Sequence, residues 1–402
     1  MDEIELKYPV PCWMLRKPDC APLIVLPLSD VDTTACQVWL DAGSILDPLN
    51  RAGVAHLYEH LIYRNGDPID LGSAEIHNAF TGYDYATHSF KSLPDNIVQN
   101  FNRLVSAFSL NNINEGTLDA EKLVIENEMH HLHDTRQGAS DLSKIRKLTF
   151  PEHAYGMPIL GCKQSLSATT LEDVKDFSKR NGTTGHCVVI SGAISLEGAK
   201  SLYNHGDFIK GRTAEVEQHE LGLTPRVLIQ HGESQATIQI SIQTPLISGH
   251  LSEATSAFAF FVRKFGAKEM FPTLYKYHTV KQLHARRIIH RHAGMLLITI
   301  VLDRSSDVAV EPAVENLRKD IADHAYGNKF PADALPHLEE QRSSENYYRL
   351  QDHLSHAQYL GWLAAVSTDL NSAIDVSFSK ASLVDLRDFL DQAAASLDLI
   401  LS

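Results

Sequence analysis

The feature that most constrains this chain is the segment AHLYEHLI at residues 55–62, which holds two histidines four positions apart. In an α-helix His56 and His60 lie on one face, one turn from each other, and Glu59 lies close to both. Two neutral imidazoles and one carboxylate are what a catalytic zinc site requires when a third protein ligand comes from elsewhere. The alternative is a partly buried helix whose histidines are hydrogen-bonded and inert, and the H-x-x-E-H spacing alone leaves both possibilities open.

A second group of carboxylates lies in the helical pattern at residues 118–131. Glu121 and Glu128 are separated by two helical turns, and Val124 and Ile125 stand between them on the same face. Because this face is partly apolar, we expect it to point inward, unlike the solvated face of most helical glutamates. A buried carboxylate needs a cation or a hydrogen-bond donor, and a metal ion is one such partner.

Composition places the chain among ordinary globular proteins. Hydrophobic residues make up 44% of the 402 positions and charged residues 21%. The net charge of −14 argues against a general nucleic-acid binder. The five cysteines are an odd number without a C-x-x-C pair, which favours a reducing compartment. The acidic start lacks a signal-peptide pattern and no apolar run has the length of a membrane span, so we expect a soluble cytoplasmic protein.

Hydrophobic periodicity predicts both helices and strands. Strands are expected at residues 22–28 and 36–42, a hairpin at 74–90, and helices from residue 52, at 95–109 and at 118–131.

An internal repeat indicates a duplicated domain. The octapeptide Thr170–Phe177 has a counterpart at Ser382–Phe389, and both precede an apolar run. The predicted fold class is α+β, with two tandem homologous domains that each pack a mostly antiparallel sheet against helices. We place the first repeat at 1–210, the second at 225–402, and a polar linker at 211–224.

Four stretches in sequence order resemble the pitrilysin/insulinase family of zinc peptidases, whose members carry the inverted H-x-x-E-H signature. They are VWLDAGSILDPLNRAGVAHLYEHLIYRNGD (Val38–Asp67), NAFTGYDYATHSF (Asn78–Phe90), AEKLVIENEMHH (Ala120–His131) and HAYGMPILGCKQSLSATTLEDVKDF (His153–Phe177). The chain is most similar to small family members built from two repeats.

The resemblance implies a role for each residue of the motif. It makes His56, His60 and Glu128 the ligands of a Zn²⁺ ion and Glu59 the general base. It also places Glu121 among the catalytic residues. Glu121 lies seven positions before the third ligand, Glu128, and corresponds to the family's glutamate that supports the ligands.

The same resemblance implies a mode of substrate binding. Asn78 and Ala79 match an edge strand whose backbone pairs with an extended peptide. Main-chain pairing of this kind provides affinity with little sequence preference.

The second repeat has no H-x-x-E-H motif, so we expect no zinc there. Family members usually carry an Arg and, seven residues later, a Tyr in this domain, and here Tyr275 and Gln282 occupy the matching positions. Some small family members work as unequal pairs in which one subunit bears the zinc motif and the other the Arg/Tyr pair. The chain resembles the zinc-bearing subunit of such a heterodimer, and a homodimer is the alternative.

These expectations lead to one main functional hypothesis and two competitors. The main hypothesis is a zinc metalloendopeptidase that cleaves peptides or unfolded segments, including a dedicated precursor as one possible substrate. The competitors are a structural family member without catalytic activity and a zinc-stabilised module that captures peptides without cutting them.

Overall fold

A computed structural model gives the fold of this chain. It describes residues 1–48, 50–65, 76–135, 137–204, 209–212, 226–232, 235–244, 255–256, 258–260, 262, 267–303, 311–326, 352–367, 369–374, 388 and 391. Within these ranges, no helix combines the length and the apolar character that crossing a membrane requires.

The chain divides into two compact units, each assembled from segments that are not contiguous in sequence. The first contains Met1–Ser143, Glu152–Glu215 and Asn346–Ile374, and the second contains Lys144–Pro151, Val216–Glu345 and Asp375–Ser402. The predicted repeats, 1–210 and 225–402, stay a prediction. Most of the linker 211–224 and most of the second octapeptide copy lie outside the described residues.

In the described part of the first unit, an eight-stranded sheet forms the centre. Its strands are β1 (Asp2–Glu5), β2 (Trp13–Arg16), β3 (Leu23–Pro27), β4 (Thr34–Leu40), β5 (Ile76–Thr81), β6 (Ala86–Ser92), β7 (Thr184–Gly192) and β8 (Lys210–Gly211). The order is β1-β2-β3-β7-β4-β6-β5, with β8 beside β7. Only the pairs β3–β7 and β7–β8 are parallel among these described strands. β4 is buried at every position, as expected of a strand covered on both faces.

Helices that follow β4 in sequence cover one face of this sheet. They are α1 (Val54–Arg64), α2 (Ile97–Ala107), α3 (Glu115–Thr135), α5 (Lys163–Ala168), α6 (Leu171–Asn181) and α7 (Leu196–Asn204). A further helix, α4 (Gln137–Thr149), begins in the first unit, and its residues from Lys144 onward belong to the second. Alternate β4 residues, Cys36, Val38 and Leu40, join the core on this side. They share it with buried residues of α1 and α2, among them Leu57 and Phe101.

The described part of the second unit is built on a four-stranded antiparallel sheet. Its described elements are β9 (Arg226–His231), β10 (Gln235–Thr244), α8 (Ala267–Met270), α9 (Pro272–Tyr277), β11 (Val280–Ile288), β12 (Gly294–Asp303) and α10 (Glu311–Tyr326). The strand order is β11-β12-β10-β9. Ile238, Ile240 and Ile242 of β10 are buried in its core with Phe271 and Leu317. The predicted α+β class, with mostly antiparallel sheets packed against helices, is therefore confirmed.

A helix from the C-terminal part of the chain covers the other face of the first sheet. It is α11 (His353–Val366), followed by α12 (Leu370–Ile374), and both belong to the first unit. Gln37 and Trp39 alternate with the core residues of β4 and therefore face this helix. The Gln37 amide donates to the Leu354 carbonyl at 3.4 Å. Gly361 lies so close to Trp39 that a Cβ atom there would stand 2.0 Å from the indole Nε1.

We expect Gly361→Ala to destabilise the first unit by about 1–3 kcal/mol, the usual cost of overpacking a core. The new methyl group would overlap the Trp39 ring, which is 2% exposed and whose Nε1 donates to Gln37 Oε1 at 3.1 Å. The measurement is the midpoint of thermal unfolding followed by tryptophan fluorescence. Gly198→Ala is the matched control, because a Cβ at this exposed helical glycine meets its nearest atom, Ser195 Oγ, at 3.2 Å. Equal midpoints for the two variants would contradict this packing.

Candidate metal centre

The start of α1 is fixed by a side chain from the preceding loop. Gly53, the residue before α1, has φ +101° and gives the helix no side-chain cap. Asp47 replaces that cap, since its carboxylate accepts from the Gly53 N–H at 2.7 Å and from the Ala55 N–H at 2.8 Å. Burial raises the pKa of Asp47 to about 7, and the two N–H bonds act in the opposite direction.

The same end of α1 is held by close backbone packing. Gly161 also has a positive φ, of +71°, and a Cβ there would stand 2.1 Å from the Ala52 carbonyl oxygen. That oxygen accepts from Ser165 Oγ at 2.7 Å. The segment around the start of α5 therefore fixes the position at which α1 begins.

Removal of the Asp47 carboxylate should loosen the start of α1. We expect Asp47→Ala to lower the free energy of unfolding by about 1–2 kcal/mol, the usual cost of losing an N-cap. A thermal melt measures the effect, with Asp95→Ala at an exposed site as the control. Unchanged stability in Asp47→Ala would show that the loop does not hold the helix.

Three predicted ligands converge between α1 and α3. Suitable donor atoms of His56, His60 and Glu128 all lie within 4.8 Å of one another. Glu128 Oε2 is 3.7 Å from Nε2 of His56 and 3.7 Å from Nε2 of His60. Donor atoms about 2.0–2.2 Å from one zinc ion stand at separations of this order. Of the described residues, these are the only group of three with this arrangement.

The two histidines differ in their surroundings. His56 is buried, and burial together with the nearby His60 lowers its pKa to about 3, so its imidazole is neutral at physiological pH. His60 Nδ1 lies 3.1 Å from Glu121 Oε2. A carboxylate at Nδ1 favours the tautomer that leaves the Nε2 lone pair directed towards Glu128.

Glu59 lies beside this group without belonging to it. Its side chain is buried, and Thr81 Oγ1 donates to its Oε2 at 2.5 Å. Burial raises the pKa of Glu59, and the Thr81 hydrogen bond opposes that shift. Thr81 is the last residue of β5, so the end of this strand reaches the carboxylate predicted to act as the base.

The buried face of α3 is narrower than the sequence predicts. Glu121 and Ile125 are buried, as expected, at 4% and 0% exposure. The expectation that Val124 also points inward is wrong, since it is 43% exposed. Only a narrow stripe of α3 packs against α1, and Val124 stands at the edge of that stripe.

The predicted peptide-binding residues lie on an edge strand. β5 pairs with β6 and ends the strand order of the first sheet. Asn78 is exposed and Ala79 is half-buried. Among the described residues no strand pairs with the other edge of β5, so this edge is available for an additional strand.

Contacts from Thr81 and Arg64 complete the surroundings of the metal centre, and sequence analysis missed both. Arg64 Nε donates to Glu121 Oε1 at 2.7 Å. Both residues lie in stretches that resemble the family, but neither belongs to the H-x-x-E-H motif, and each contact joins segments distant in sequence. In the second unit, Tyr275 lies half-buried on α9 and Gln282 is exposed on β11.

Comparison with known families identifies the region that holds this centre. Residues 24–162 match the model described as insulinase (peptidase family M16), which confirms over this stretch the resemblance inferred from the sequence. The mitochondrial-processing peptidase subunit beta of Blastocladiella emersonii is 26% identical over 166 residues, 39% of this chain and 36% of the relative. The uncharacterized zinc protease YmxG of Bacillus subtilis is 24% identical over 203 residues, 47% of this chain and 49% of the relative. The matched region thus spans about a third to a half of these relatives.

Solved structures extend the likeness to nearly the whole chain. Pitrilysin aligns with a TM-score of 0.76 at 14% identity, covering 98% of this chain and 45% of its own. A peptidase M16 inactive domain from Pseudomonas fluorescens aligns with a TM-score of 0.72 at 13% identity, covering 95% and 94%. At these identities the alignments show a shared fold.

Proposed function

We propose that this chain is a zinc-dependent endopeptidase, because residues 24–162 match the model of the insulinase family (peptidase family M16). The observation that carries the proposal is the convergence of His56, His60 and Glu128, with the Glu59 carboxylate beside them. Relatives named as zinc proteases make zinc the expected metal of the family.

The donor set fits zinc by its chemistry. His56 and His60 offer imidazole nitrogens and Glu128 offers a carboxylate oxygen, and three protein ligands of these types leave a position open for water or substrate. The His56 imidazole is held neutral by burial, as a metal ligand must be.

Glu59 is the proposed general base. Zinc, when bound, lowers the pKa of water towards neutrality and polarises a carbonyl oxygen. The Glu59 carboxylate takes a proton from the attacking water and delivers it to the leaving amine nitrogen. Thr81 fixes the carboxylate for this task by its hydrogen bond to Oε2. Burial supports the role, because a carboxylate with a raised pKa is a stronger base and takes up a proton from water more readily.

The substrate is proposed to be a peptide or an unfolded segment bound as an added strand on β5. Asn78 and Ala79 provide backbone groups at the edge of the sheet, and the strand ends at Thr81, which contacts Glu59. A peptide paired with β5 would therefore pass directly beside the base. Because the recognition uses the main chain, we expect broad sequence tolerance.

A partner subunit is part of the proposal. Tyr275 and Gln282 stand where an Arg and a Tyr are expected, so we propose that a paralogous chain provides that pair in a heterodimer, with a homodimer as the alternative. A relative named as a subunit of a processing peptidase supports this arrangement and a dedicated precursor as one possible substrate.

The alternative is a family member that binds peptides or has a structural role without cleaving them. This alternative is favoured by Tyr275 and Gln282, which stand where an Arg and a Tyr are expected. In addition, a structural neighbour is described as an inactive domain. The peptidase, the peptide-binding protein and the structural protein would share the same fold, and they would differ only in metal content and in turnover.

One experiment separates these functions. The full chain, loaded with one equivalent of Zn²⁺, is incubated with an unstructured fluorogenic peptide, alone and with a candidate partner lacking H-x-x-E-H. We expect cleavage that a zinc chelator abolishes and added Zn²⁺ restores. Zinc binding without cleavage under every pairing would favour peptide capture, and failure to bind zinc would favour a structural role.

A further inference from the structure

The support behind His60 extends beyond Glu121 to a residue at the end of the same helix. Arg64 is the last residue of α1 and follows His60 by four positions, so the two side chains lie on the same face of the helix. His60 Nδ1 lies 3.1 Å from Glu121 Oε2, and Arg64 Nε donates to Glu121 Oε1 at 2.7 Å. Each oxygen of the carboxylate therefore has its own partner on α1.

Burial makes both partners necessary. The Glu121 side chain is 5% exposed, whereas that of Arg64 is 59% exposed. A carboxylate removed from water requires hydrogen-bond donors, and a guanidinium N–H is among the strongest available. Arg64 thus reaches inward from the surface to hold a group that solvent scarcely reaches.

Two contacts fix the carboxylate plane, whereas a single contact does not. The terminal torsion of a glutamate has a broad energy minimum, so a carboxylate held through one oxygen rotates readily. When Arg64 holds Oε1, Oε2 stays aligned with His60 Nδ1. The orientation of the imidazole, and the direction of its Nε2 lone pair, follow from that alignment.

We propose that Arg64 is a positioning residue of the metal centre, which acts through Glu121 to fix the ring orientation and the Nδ1–H tautomer of His60. This inference rests on the proposed function, because the orientation of His60 matters only if His60 binds the metal.

The first test is zinc affinity, measured on the full chain by competition with a zinc-chelating dye. Loss of an outer partner of a ligand typically costs about 10–100-fold in metal affinity. Arg64 acts one contact further out and is largely exposed, so we expect Arg64→Ala to weaken zinc binding by about 10-fold, the lower end of that range. Arg64→Lys keeps the charge and should restore part of the affinity. Arg103→Ala, at an exposed position of α2, should bind zinc as tightly as the unaltered chain.

A double-mutant cycle tests whether Arg64 acts through Glu121. In a Glu121→Gln background, Arg64→Ala should have no further effect on zinc affinity. An undiminished 10-fold loss in that background would overturn the inference, as would wild-type affinity in Arg64→Ala alone. In both cases the proposed function would stand. If the unaltered chain bound no zinc, the proposed function itself would fail.

A readout without metal completes the test. Nitrogen-15 NMR of the metal-free chain should show His60 protonated at Nδ1, and Arg64→Ala should shift the tautomer populations, whereas Arg103→Ala should leave them unchanged. An unchanged His60 spectrum in Arg64→Ala would overturn the inference.

Discussion

Glu59→Gln is expected to abolish most peptide cleavage while the zinc stays bound. General acid–base catalysis contributes about 10²–10⁴-fold to a rate, so kcat should fall by a factor in this range. Glutamine keeps the size of the side chain and an oxygen that can accept from Thr81, but it cannot take up a proton from water. The measurements are kcat on a fluorogenic peptide and zinc content by elemental mass spectrometry.

Glu126→Gln is the matched control for this variant. Glu126 lies on α3 but contacts Lys163, at 3.7 Å, and is not among the grouped metal donors. Its replacement should leave both kcat and zinc content unchanged. A Glu59→Gln variant that cleaves at the full rate would rule out Glu59 as the base.

Glu128→Ala is expected to weaken zinc binding more than any change outside the three ligands. The substitution removes one of three protein ligands, so the loss should exceed the about 10–100-fold typical of an outer partner. The Glu128 side chain is 41% exposed, and its Oε2 lies 3.7 Å from Nε2 of His56 and 3.7 Å from Nε2 of His60. The metal-free variant should therefore melt at the same temperature as the metal-free parent.

Competition with a zinc-chelating dye measures this affinity, and a melting curve of the metal-free protein reports on the fold. Asn127→Ala, at the neighbouring exposed position of α3, should change neither quantity. If Glu128→Ala retained parental zinc affinity, the third ligand would have to come from another residue.

Much of the local structure follows from periodicity. The helix predicted from residue 52 begins at Val54, because Gly53 and the Asp47 cap set its start. The hairpin predicted at 74–90 corresponds to β5 and β6, since alternation is a property of neighbouring residues. Such patterns do not identify which helices meet, and the pairing of α1 with α3 was inferred from the family resemblance.

Contacts between distant segments mark the limit of sequence analysis. Val124 lies on the predicted apolar face of α3 but is exposed, because the surface of α1 covers only part of that face. Thr81 and Arg64 reach Glu59 and Glu121 through single side-chain contacts that leave no repeated pattern in the sequence. The roles of His56, His60 and Glu128 as zinc ligands stay a prediction that their geometry supports.

X-ray absorption at the zinc edge tests the central claim most directly. The full chain, loaded with one equivalent of Zn²⁺ and freed of excess metal, should retain one zinc with two imidazole ligands and oxygen ligands at about 2.0–2.2 Å. Loss of the imidazole signal in a His56→Ala, His60→Ala double variant would complete the assignment. A parent chain that retains no zinc, or a spectrum with sulfur ligands that the double variant leaves unchanged, would contradict the account.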